Sequence, residues 1–168
     1  KNDLKGLKFR AYNSSLIRLA ELTGMAPTKI EAAEISQAFS TGAVESMITS
    51  PTTGKNSKIW EKGVKYFYDI EAWYPKNMII VNKDAWNKLD SATKKLVMDE
   101  AAVAEKKGWA LSKKGNQADK KALADAGMIV GKVNSALNNH FKEVGATMSK
   151  EWASRAGSRG QSVLAAYK

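Results

Sequence analysis

Cysteine is absent from the 168 residues, histidine occurs once, at His140, and proline only three times. Without thiols there are no disulfides and no thiolate metal sites, and the chain suits any compartment, an oxidising one included. With a single imidazole, a zinc site of the usual composition is out, and a Ser-His-Asp triad would have to run through His140. That residue stands between Asn139 and Phe141 in what reads as an ordinary amphipathic helix, so it is read as a partly exposed helix histidine. No G-x-S-x-G elbow occurs. Thr53-Gly54-Lys55 has the shape of a phosphate-loop end, but Thr49 occupies the earlier glycine position and Asn56 replaces the Ser/Thr, which rejects the match. No run of eighteen apolar residues is present, so no membrane span is expected. Residue 1 is lysine and no signal peptide precedes it, so the start is expected to be processed or truncated.

What the chain does have is 43% hydrophobic residues, enough to bury a core, and a net charge of +10. The charge raises a basic nucleic-acid-binding module as the alternative reading. Its distribution argues against that alternative. Lysines sit beside acids, as in Glu61-Lys62, Lys83-Asp84 and Glu105-Lys106-Lys107, rather than forming a stripe with stacking aromatics. A second rival, an α/β enzyme completed by another chain, lacks any nucleophile-base pair here. A basic surface also helps gather anionic solutes.

The first fifty residues read as strand-helix-strand-helix-strand. Leu7-Lys8-Phe9-Arg10 alternates as a short strand. Asn13, Ser14 and Ser15 offer N-cap oxygens to a helix carrying Leu16, Leu19, Ala20 and Leu22 and stopped by Gly24. Pro27–Ile30 is a second strand, Glu31–Thr41 a second helix, and Val44–Ser50 a third strand halted by Pro51. Thr52–Lys58 reads as a polar loop entering a helix near Ile59–Gly63. Met78-Ile79-Ile80-Val81 has the continuous apolar character of a strand buried on both faces. A very long helix runs from an Asp90 or Ser91 cap to about Asp125, with a stripe through Leu96, Val97, Ala101, Val103, Ala104 and Leu111. Its length suits bracing two lobes. Met128–Val130 reads as a strand, Asn134 or Ser135 caps a helix stopped by Gly157, and Gln161–Tyr167 forms a last short helix.

Such units make a parallel sheet with ligands outside the carboxyl ends of the strands. Arg10 closes the first strand and Thr49-Ser50 closes the third, so both fall on one rim. Arg10 can offer a planar fork to a carboxylate or form a surface salt bridge. Thr49 and Ser50 can donate to the same ligand or simply cap the strand end. Trp73-Tyr74-Pro75 can wall a small organic ligand, against a default of core packing for any one tryptophan.

Together and in this order, these residues resemble the extracytoplasmic solute-binding proteins of tripartite ATP-independent periplasmic (TRAP) transporters, the DctP type. The specific portion runs from Leu4-Lys5-Gly6-Leu7-Lys8-Phe9-Arg10-Ala11-Tyr12-Asn13 through Glu34–Glu45 to Pro51, with no gap in spacing. Asn82, Trp86 and Leu89 fit the family's N-x-x-x-W-x-x-L turn. The resemblance implies an α/β fold, the second lobe of a class II periplasmic-binding-protein architecture, incomplete relative to the two-lobed family. It divides the chain into a ligand-binding region at 1–75, an interdomain strand and turn at 76–89, a bracing helix at 90–127 and C-terminal strand and helices at 128–168.

The same resemblance implies a non-enzymatic periplasmic receptor that binds a small organic carboxylate and delivers it to TRAP membrane subunits, with no cofactor. Thr49 stands where many members carry an acid, a departure that argues against the metal-bridged ligand some members use, so no metal is expected. Arg10 is then the carboxylate anchor, with Ser50, Thr49, Asn13, Trp73 and Tyr74 as ligand-binding neighbours. Two departures open the pocket: Ser50 stands where an asparagine is usual, and Ala33 where an aromatic often lies. Partners implied are the missing N-terminal lobe or a second copy, and no nucleic acid.

Overall fold

The computed structural model describes residues 2–71 and 77–167. Three parallel strands form the first sheet: β1 (Lys8–Ala11) lies in the middle, β2 (Ala26–Lys29) on one side and β3 (Ser46–Met47) on the other. Lys8 pairs with Ala26 and Ala11 with Lys29, while Phe9 pairs with Ser46 and Arg10 with Met47. A central parallel strand must be apolar on both faces. Accordingly Phe9, Arg10 and Ala11 are all buried.

Helix α1 (Ser14–Thr23) follows β1 because Asn13 Oδ1 accepts the Leu16 N–H at 2.9 Å and satisfies an orphan donor of the first turn. Gly24, at φ 78°, ends it in the left-handed conformation that glycine adopts without penalty. Leu16, Leu19 and Ala20 pack on Phe9, Ala11, Met25 and Val144 in one core cluster. Helix α2 (Ile35–Ser40), preceded by a 3₁₀ turn at Ala32–Glu34, enters a second cluster with Val44, Ile59, Leu123 and Met128.

The third strand is shorter than the expected Val44–Ser50: β3 ends at Met47, before Pro51, and the polar stretch from Pro51 is helix α3 (Pro51–Asn56), not a loop. Ser50 caps it, and proline at the first helical position has no N–H to leave unpaired. A 3₁₀ turn at Ile59–Lys62 leads to β4 (Tyr66–Tyr68), which pairs in parallel with β5 (Ile129–Gly131). The apolar run Met78–Val81 departs from expectation. It is not in a strand, and its residues are 59 to 101% exposed. No strand among the described residues pairs with it, so its backbone has no ladder to join.

After the short helix α4 (Lys83–Asn87), capped by Asn82, comes α5 (Ser91–Asp125), capped by Asp90 and 35 residues long. Only Asp119 and Leu123 of α5 are buried. The predicted apolar stripe at Leu96, Val97, Val103 and Leu111 is exposed. Helix α6 (Ser135–Ala166), capped by Asn134, breaks at Gly157, whose φ 63° and ψ −152° are not helical. Its last segment folds back, so that a Cβ at Gly160 would stand 2.5 Å from Ala156 Cβ and 3.4 Å from Ala153 Cα. No helix of the described residues is long and apolar enough to cross a membrane.

Candidate ligand-binding site

Arg10 is the penultimate residue of the central strand and is 3% exposed. Its Nε donates to the Ile30 carbonyl at 2.9 Å, which fixes the plane of the guanidinium from the β2 side. Its Cζ stands 4.8 Å from the centroid of the Tyr12 ring, a cation-π stack that holds the group from beneath. Burial pushes the Arg10 pKa down, and Tyr12 and Glu31 partly oppose that. Among the described residues no carboxylate lies within 4.0 Å of it, and its two terminal nitrogens make no hydrogen bond. Among the described residues no buried side-chain nitrogen or oxygen is left without a partner, so those nitrogens keep access to solvent. A desolvated cation with an open fork is built to receive an anion.

The register brings the other predicted residues to the same rim. Arg10 pairs with Met47; Asn13 lies three residues beyond the first and Ser50 three residues beyond the second. Each caps the helix that leaves the sheet there. Asn13 does so with its carbonyl oxygen, which leaves the amide N–H groups free to donate outward. Ser50 Oγ accepts the Thr53 N–H at 3.1 Å and lies 3.1 Å from the Thr53 hydroxyl. Thr49 is half-buried between β3 and that cap. Arg10, Asn13, Thr49 and Ser50 thus share the carboxyl end of one strand pair. Trp73 and Tyr74 lie outside the described residues. Tyr12, at the bend that follows β1, was not foreseen as part of the site.

A cleft of about 730 Å³ opens beside this rim, lined by Ser14 and Ser15 of α1, Ile48 after β3, Ile70 after β4, and Phe141 and Trp152 of α6. Arg10 does not line it, so the arginine and not the cleft marks the chemistry. His140 is a half-buried helix residue with Nδ1 3.8 Å from Glu143, as read from its neighbours.

A parallel α/β lobe with a solvent-reaching buried arginine at its strand ends has the form of a solute-binding domain. The chain matches the model of the bacterial extracellular solute-binding proteins, family 7 (DctP), over residues 2–155, and it belongs to that family. It is 40% identical, with a TM-score of 0.95, to DctP7 of Bordetella pertussis, an extracytoplasmic solute receptor binding pyroglutamic acid; 99% of this chain matches 55% of that one. A marine metagenome TRAP solute-binding protein specific for pyroglutamate is 34% identical, with a TM-score of 0.94, over 99% of this chain and 54% of that one. A solute-binding protein of Chromohalobacter salexigens is 25% identical over 134 residues, covering 79% of this chain and 40% of the relative. The chain therefore spans about half the length of these relatives, and its fold is an incomplete version of the two-lobed TRAP receptor fold. The family and these relatives are solute-binding receptors rather than enzymes.

Proposed function

We propose that this chain is the carboxylate-anchoring lobe of a periplasmic TRAP receptor that captures a small carboxylate of the pyroglutamate class without chemical turnover and passes it to membrane subunits. The observation that carries the proposal is Arg10, buried, held from two sides and open at its fork. A carboxylate there gains two parallel charge-assisted hydrogen bonds in a low-dielectric setting. Asn13, Thr49 and Ser50 supply neutral donors at the same rim, and the α1 N-terminus adds a positive dipole end. These donors suit the ring carbonyl of a lactam acid as well as its carboxylate. Trp73 and Tyr74 are proposed as the wall that excludes water. The names of relatives at 34 to 40% identity point to the same ligand.

The lysines favour this reading over a polyanion surface. Of the eight lysines of α5, Lys95 pairs with Asp99, Lys121 with Asp125 and Lys120 with Asp69, so part of the positive charge of that helix is matched by acids. In this reading residues 1–75 form the ligand-binding region, 76–89 the crossing segment, 90–127 the brace and 128–168 the closing elements. The exposed run Met78–Val81 and the outer face of α5 are where the rest of a two-lobed protein would pack. The test is thermal unfolding of the complete protein with millimolar pyroglutamate. A ligand at a hundred times Kd raises stability by about 2.7 kcal/mol, a shift of several degrees. No shift with pyroglutamate or with related cyclic and hydroxy acids would overturn the proposal.

A further inference from the structure

We infer that Asp119, on the long helix, is a positioning residue for the ligand rim, acting through α3. This rests on the carboxylate-anchor reading above and assigns the group that holds the anchor's neighbours in place. Asp119 and Arg10 are the two charged side chains among the buried polar residues; the third such residue, Thr23, is satisfied inside its own helix by the carbonyls of Leu19 and Ala20. Both oxygens of Asp119 are engaged, and both by α3. Thr52 donates to Oδ2 at 2.6 Å, and the Lys55 ammonium donates to Oδ1.

Thr52 and Lys55 are two and five residues past Ser50, so one carboxylate grips the helix that Ser50 caps. Six residues are too few for a helix to hold its own position; nucleation costs more than so few internal bonds return. The placement of α3 therefore comes from outside it. Besides Asp119, Gly54 packs closely on Leu123 and Ile59: a Cβ there would meet Leu123 Cδ2 at 3.7 Å. Loss of the Asp119 contacts frees α3 to pivot about that apolar contact. Thr49 and Ser50 move with it, while Arg10, anchored by Ile30 and Tyr12, stays. Lys55 and Thr52 lower the pKa of the Asp119 carboxyl from its ordinary value, so this grip is ionised at neutral pH.

The test is a double-mutant cycle on pyroglutamate affinity in the complete protein, measured by titration calorimetry well below the unfolding midpoint. Asp119→Asn keeps the shape and loses the charge; it is expected to weaken binding roughly tenfold. Thr52→Val, which leaves the ion pair intact, is expected to lose less and serves if Asp119→Asn does not fold. In a Ser50→Ala background both effects are expected to shrink to near nothing, because the group they position is gone. Multiplicative losses in that background, or unchanged affinity in the folded single variants, overturn the inference and make Asp119 a pin for α5 alone. Arg10→Ala separates the two levels. If it abolishes binding while Asp119→Asn does nothing, the positioning role fails and the anchor stands; if it changes nothing, the anchor itself fails.

Discussion

Arg18 on α1 and Glu151 on α6 form a two-pronged pair, Nε to Oε2 at 3.0 Å and Nη2 to Oε1 at 2.7 Å, across 133 residues of sequence. The pair staples the last long helix to the helix whose Asn13 cap forms part of the rim. Arg18 also reaches Glu21 at 3.0 Å, so each of its three nitrogens is engaged within the lobe.

The carboxylates predict the acid limit of stability. Hydrogen bonding from Arg18 pulls Glu151 below its ordinary 4.5, and Lys55 and Thr52 pull Asp119 below 3.8; the Thr93 N–H and hydroxyl do the same for Asp90. A depressed carboxylate contributes stability above its unfolded pKa and loses it as pH falls through the folded value. The melting temperature is therefore expected to be level from about pH 5.5 to 8 and to drop steadily below about pH 4.5. A melting temperature unchanged down to pH 3 would contradict this.

The break at Gly157 is a second point of prediction. Its φ and ψ lie in a region that only glycine adopts readily, and Gly160 lies against Ala153 and Ala156 where no Cβ fits. Gly157→Ala is expected to cost about 1 to 3 kcal/mol, read as a lower urea midpoint at constant slope. Gly160→Ala should loosen the fold-back of the last segment and raise amide exchange across residues 158–166.

Leu123 is fully buried where α5 meets Gly54 and the second core cluster. Leu123→Ala is expected to cost roughly 2 to 5 kcal/mol in urea unfolding, more than any truncation on the exposed stretch of α5. Equal costs at Leu123 and Leu96 would mean that the helix does not dock as described.

Association follows from the exposed apolar surface. Met78, Ile79, Ile80 and Val81, with Leu96, Met98, Val103 and Trp109 of α5, are large apolar side chains left exposed, the kind of surface that marks an interaction site when it is contiguous. By light scattering, the 168-residue chain alone is expected to self-associate, and a supplied first-lobe segment to convert it to a one-to-one complex. A clean monomer that ignores the segment would contradict the two-lobed reading.

Where local chemistry decides an element, the sequence made it legible. Asn13, Asp90 and Asn134 as caps, and Gly24 as a stop, mark helix ends that the structure keeps. The parallel pairing of the strands carrying Arg10 and preceding Ser50 was readable from their order, but Thr49 and Ser50 lie beyond the end of β3 at Met47, in the segment that leads into α3. Three features were not readable. Helix α3 looked like a loop because its residues are poor helix formers; its stability comes from Asp119 and Leu123, some 65 residues away. Met78–Val81 has a strand's composition, but a strand needs a neighbour that composition does not supply. Tyr12 beneath Arg10 lies at a bend just past β1, where the alternation of a strand no longer says which way a side chain turns.

The most direct test of the central claim is titration of pyroglutamate into the complete protein and its Arg10→Ala and Arg10→Lys variants. Alanine is expected to weaken binding at least thirtyfold, roughly 2 kcal/mol or more, because it strips a buried carboxylate of its charge partner. Lysine is expected to restore only part of that, since an ammonium cannot reproduce the fork held between Ile30 and Tyr12. Affinity unchanged in Arg10→Ala would contradict the account at its base.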